Sequence, residues 1–188
     1  MAKTGDHASE LTEVEAAMGL IERRPAPDLI AREDIVQWMN SADIEVQAAV
    51  HSLIHEGVHY MKIAPCLAFE DYHRFNMAYY ARCFRENPDG EWADTRYEAG
   101  WSFMSWFTGI WRDESTPRAA LEEIRDWLEG IYANGGEEER ICLITAVFEH
   151  LFEEKSIAKF FACWKDDPTM ADAYAEALGY AAYFRRQP

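Results

Sequence analysis

The chain is short of several things, and each shortage removes a class of protein. Only 18 of its 188 residues are Lys or Arg, against 34 Asp and Glu, so the formal net charge is −16. That excess of carboxylates repels phosphate backbones and anionic bilayers, which speaks against direct nucleic-acid binding and membrane association. No apolar run approaches the ~20 residues that a membrane span needs. The four cysteines, Cys66, Cys83, Cys142 and Cys163, form no C-x-x-C pair. Each falls inside an apolar helical pattern and reads as a buried, reduced thiol of a cytoplasmic protein. The opening residues MAKTGDHASE lack an apolar stretch, so no signal peptide is expected. There is no strand-like alternation of useful length, no low-complexity segment, no Gly-rich phosphate loop and no G-x-S-x-G elbow.

What remains is helical periodicity almost from end to end. The expectation is an all-α fold: a single-domain multi-helix bundle of eight or nine helices over 1–188, with 1–25 loosely packed. Ser9 can cap a first helix striped by Leu11, Val14, Met18 and Ile21, which Pro25 and Pro27 end. A short helix follows over 31–39. Asp43 caps a third, with Val46, Val50, Leu53 and Met61 facing inward. Pro65 interrupts, and a fourth helix runs to about residue 85, where Asn87-Pro88-Asp89-Gly90 marks a turn. The fifth, about 96–112, is apolar nearly all round and therefore expected at the centre of a bundle. Thr116 and Pro117 open the sixth, and Asn134-Gly135-Gly136 closes it. The seventh carries Ile141, Ile144, Phe148, Leu151 and Phe152, the eighth Ile157, Phe160, Phe161 and Trp164. Asp167-Pro168 restarts a ninth.

Two segments share an acidic start followed by an apolar face: Asp43-Ile44-Glu45-Val46 and Glu138-Glu139-Arg140-Ile141. This form resembles the second helix of HEAT-type hairpins and implies helical-hairpin packing. The absence of a regular period favours ordinary capped amphipathic helices.

One cluster carries ligand chemistry. His51, His55 and His59 recur every four residues and span about 80° of one helix surface. They share a polar strip with Glu45, Ser52 and Glu56; Glu70 and His73 follow beyond Pro65. The plain alternative is a solvated helix face, with His73 on the apolar side of the next helix. His55-Glu56-Gly57-Val58-His59 resembles the H-E-x-x-H element of zinc metalloproteases. That resemblance implies His55 and His59 as ligands and Glu56 as catalytic base, with Glu70 or His73 completing the set. Glu56-x-x-His59 and Glu70-x-x-His73 also resemble the paired E-x-x-H elements of carboxylate-bridged di-iron bundles. Two further carboxylates would then be needed, with Glu98, Glu149 and Glu153 as candidates. Zinc and iron both remain open as cofactors.

Everything in that cluster depends on the chain reversing near Pro65. If it does, residue 56 stands level with 73 and 59 with 70. If one kinked helix continues, 59 and 70 lie about 16 Å apart and no site forms. Two classes of function follow. One is a non-enzymatic acidic binding protein, such as an inhibitor, immunity-type protein or adaptor, acting on a basic protein partner. The other is a metal-dependent hydrolase or oxidase built on His55, Glu56, His59, Glu70 and His73. The first needs fewer coincidences.

Overall fold

The computed structural model describes residues 7–22, 30–60, 63–64 and 67–184, with side chains over 7–20, 30–55 and 67–183. The protein is an all-α multi-helix bundle. Its helices are α1 His7–Glu22, α2 Arg32–Met39, α3 Ile44–Tyr60, α4 Phe69–Glu86, α5 Arg96–Arg112 and α6 Arg118–Asn134. Glu137–Cys142, Leu143–Phe148 and Glu149–Leu151 run on as one rod, here α7, whose middle part is π-helical. Then come α8 Lys155–Phe160, a 3-10 turn Ala162–Asp166, and α9 Ala171–Phe184. The pairing of extended chain among the described residues is two residues long. Ile30–Ala31 (β1) lies parallel to Ile63–Ala64 (β2), with Ile30 opposite Ile63.

The chain divides into two compact units. Unit 1 comprises Met1–Cys83 with Pro88–Asp94; unit 2 comprises Phe84–Asn87 with Thr95–Pro188.

In unit 1, α1 and α2 both pack against α3. Val14, Ile35, Val46, Val50 and Leu53 are fully enclosed there. Asp43 caps α3 as expected, its carboxylate accepting from the Glu45 N–H at 2.9 Å. Glu45 reaches across to the 90–93 turn, where its carboxylate accepts the backbone N–H groups of Glu91, Trp92 and Ala93 at 2.9, 2.9 and 3.2 Å. A Cβ on Gly90 would collide with that carboxylate, so the turn favours glycine there. Asp71, in the first turn of α4, pairs with Arg32 at the start of α2.

In unit 2, α5 packs against the π-helical part of α7. The approach is close: a Cβ on Gly100 would lie 2.7 Å from that of Ala146. Phe84, Phe103, Phe107, Phe148, Phe152, Phe161 and Trp164 form a continuous buried aromatic core. Such stacked, tilted and edge-on pairs add modestly to their large burial. Thr95 and Glu98 form a capping box on α5, and Asn87 takes a left-handed φ of 46° at the preceding turn.

Five expectations need correction. Ser9 does not cap the first helix but lies inside it, its hydroxyl donating to Glu13. The fifth helix is not enclosed all round, because Tyr97 and Trp101 are 42% and 50% exposed on one side. The sixth begins at Arg118 with Pro117 as N-cap, one position beyond the expected pair. Ile141 stands 45% exposed; the π stretch starting at Leu143 adds a residue per turn and shifts the phase of the apolar stripe. Cys83 and Cys142 are buried as expected, and burial pushes the Cys142 thiol up to about 12, but Cys163 is exposed. Cys66 and Pro65 lie outside the described residues.

Candidate functional site

The histidine cluster belongs to the α3–α4 pair of unit 1. His51 on α3 meets Tyr80 on α4, with Nε2 3.1 Å from the phenol oxygen. One turn earlier on α3, the Gln47 side-chain oxygen accepts from Arg82 at 2.9 Å. Moving back along α3 therefore means moving forward along α4, so the two helices run antiparallel. The chain reverses between Tyr60 and Phe69, the condition on which the cluster depended. Continued inward at this register, residue 56 comes level with about residue 74, and residue 59 with about residue 71.

His51 departs most from expectation. It does not decorate a solvated face. Its ring stacks on Tyr79 at 4.8 Å and meets Tyr80 edge-on at 5.3 Å. Enclosure disfavours the charged imidazolium, and neighbouring His55 adds to this, so its pKa falls to about 4. His51 is thus a neutral ring at neutral pH. The same burial raises both Tyr79 and Tyr80, which remain neutral phenols. Tyr79 also accepts the Asp94 N–H at 3.2 Å.

His55 is exposed on α3. Glu56 and His59 lie on the last turns of α3, and their side chains are outside the described set. Glu70 is exposed in the first turn of α4. His73 is buried, 3% exposed, and stacks on Phe69 at 5.3 Å. One turn further along α4 lies Asn76, 1% exposed, whose amide has no hydrogen-bond partner among the described residues. With Tyr80 these give α4 a buried polar stripe at positions 73, 76 and 80. Asn76 was not singled out by sequence reasoning. Its place in the i, i+3, i+7 series from His73 is the signal that could have found it.

Among the described residues, no group of three or more His, Cys, Asp or Glu is placed to hold a metal ion. The additional carboxylates considered for a di-iron arrangement are engaged locally in unit 2. Glu98 closes the capping box with Thr95, accepting its N–H at 3.0 Å. Glu149 is buried, and loss of solvation raises its pKa, opposed by His150 and reinforced by Glu153. His150 bridges the two, 3.4 Å from Glu149 and 3.1 Å from Glu153.

Comparison with family models, curated proteins and solved structures returns no match.

Proposed function

We propose that this chain is a non-enzymatic acidic helical binding protein that acts on a basic protein partner. The supporting observation is the charge balance. With 34 carboxylates and 18 Lys and Arg, one-to-one pairing leaves 16 carboxylates over in any arrangement of the chain. Several cations sit on neighbouring acids, as Arg118 does on Glu122, Arg112 on Glu154 and Arg96 on Glu138. The surplus acids can be neutralised by counterions or by a partner's basic face, and steering by such a field raises association rates. The test is capture at low salt of a basic protein that is released as ionic strength rises, with the interaction rebuilt from purified components. If no basic partner binds the purified chain near 20 mM salt, where screening is weak, the proposal fails.

A second reading keeps the metal-dependent enzyme. Its support is the antiparallel register of α3 and α4, which brings backbone positions 56 and 59 level with the start of α4. His55, His59, Glu70 and His73 would be the ligands, zinc or iron the metal, and Glu56 the base that takes a proton from bound water. Elemental analysis of untagged protein checks it. Near one equivalent of metal, lost in His59→Ala and His73→Phe, would support the reading. Less than about a tenth of an equivalent of zinc, iron or manganese, with no thermal stabilisation on adding metal, would exclude it.

A further inference from the structure

Unit 1 contains an open cleft of about 300 Å³ where α1, β1 and α2 meet. Its apolar walls include Ala17 and Leu20 of α1, Ile30 of β1 and Trp38 of α2. Two carboxylates line the same cleft, Glu13 from α1 and Asp34 from α2, and both residues are exposed. Glu13 accepts the Trp38 indole N–H at 3.3 Å, which holds its carboxylate on the cleft side of α1. No Lys or Arg is among the described lining residues.

An open apolar cleft with two carboxylates among its walls suits a side chain with an apolar stem and a cationic head. Lysine and arginine both have that form, and arginine fits better. Its planar guanidinium offers several N–H donors to two carboxylates at once, keeps its charge at any working pH, and is less costly to desolvate than an ammonium. Arginine is also the cationic residue most often found as a binding anchor in protein interfaces. We infer that the Glu13–Asp34 cleft is the anchor site for an arginine side chain of the basic partner. This rests on the binding-protein reading above and adds to it the place where the partner is held.

The experiment titrates N-acetyl-arginine-amide into isotopically labelled full-length protein and follows amide and indole N–H resonances. Saturable shifts are expected at the Trp38 indole N–H and at α1 and α2 amides, with a Kd on the order of 1 mM for so small a probe. N-acetyl-norleucine-amide, with the stem but no charge, should bind at least about fivefold more weakly, as should arginine to Glu13→Gln/Asp34→Asn. The charge-matched variant Glu114→Gln/Asp166→Asn, altered in unit 2, should bind as the parent does. Shifts scattered over the acidic surface, no shifts, or equal loss in both double variants would overturn the assignment. So would several-fold tighter binding in Arg23→Ala/Arg24→Ala, because the chain's own arginines would then be the occupants. The two proposals fail separately. A basic partner that binds the parent and the cleft variant equally removes the cleft and leaves the binding reading standing. Absence of any basic partner removes the reading itself, whatever the probe does.

Discussion

At the scale of single residues, His51 shows how a change of neighbours changes a side chain's chemistry. Read by spacing, it is one of three histidines on a polar strip. Placed against Tyr79 and Tyr80, it is a neutral ring held by stacking and one hydrogen bond. Burial, with His55 nearby, has lowered its pKa to about 4, whereas an unfolded histidine titrates near 6.5. Between those values the unfolded chain binds more protons than the folded one, so stability falls as pH drops through that window. The full effect, reached below about pH 4, is on the order of 3 kcal/mol. Other groups titrate there too, Glu149 with the opposite sense, since its raised pKa makes the folded state gain protons as pH falls. The effect of His51 is therefore read as a difference. Urea midpoints of the parent and of His51→Phe, compared at pH 7 and pH 4.5, should show the variant losing less stability on acidification. Parallel losses would mean that His51 is not held neutral. Asn76 carries the same lesson from the other side: its spacing from His73 and Tyr80 puts it on one stripe of α4, and the fold shows that stripe to be buried.

At the scale of elements, the starts and stops were the most legible part of the chain. Asp43 caps α3, Asn87 and Pro88 end α4, and Asn134 with Gly135 ends α6, because short polar side chains and Gly or Pro act on the backbone within a few residues. What could not be read locally depended on partners distant in sequence. The π-helical part of α7 leaves no composition signal, and Ile141, two residues before it, is exposed. The exposure of Tyr97 and Trp101 depends likewise on which side of α5 meets α7. Of the candidate site, sequence correctly placed 56 to 59 and 70 to 73 on two successive helices. It left reversal and kink both open, and Ile63-Ala64-Pro65-Cys66, poor turn formers, gave no local sign of the reversal. Glu45 is the clearest long-range tie that spacing hides. Its three backbone hydrogen bonds join the start of α3 to the 90–93 turn, about 46 residues onward. Hydrogen bonds to a charged group are stronger than neutral ones, and three N–H donors would lose their acceptor together. Glu45→Ala should cost about 2–4 kcal/mol in urea unfolding. Hydrogen exchange at Glu91, Trp92 and Ala93 should accelerate in step. A loss below about 0.5 kcal/mol would show that solvent replaces Glu45 without penalty.

At the scale of the whole molecule, charge rather than packing sets the behaviour. A net −16 on 188 residues disfavours the compact state through self-repulsion, and the effect depends on how far the field extends. The Debye length shortens from about 30 Å at 10 mM salt to about 3 Å at 1 M, so repulsion between distant carboxylates is largely removed across that range. The engaged pairs respond the opposite way, since screening weakens contacts such as Arg118–Glu122 and Arg112–Glu154. Those pairs are exposed, and exposed pairs contribute at most about 1 kcal/mol each. Sixteen surplus charges outweigh a handful of such pairs, so the sum has a definite sign. Raising sodium chloride from 10 mM to 0.5 M should increase the urea midpoint, by about 1–2 kcal/mol of stability, with the denaturant slope unchanged. On the proposed binding reading, the same salt should weaken attachment to a basic partner, because the field that strains the free chain would also attract that partner. Opposite responses to one variable, stability rising while affinity falls, are what a charge-driven binding protein requires. A midpoint that stays level or drops with salt would mean that the carboxylates are already compensated within the fold, leaving no surplus for a partner to neutralise.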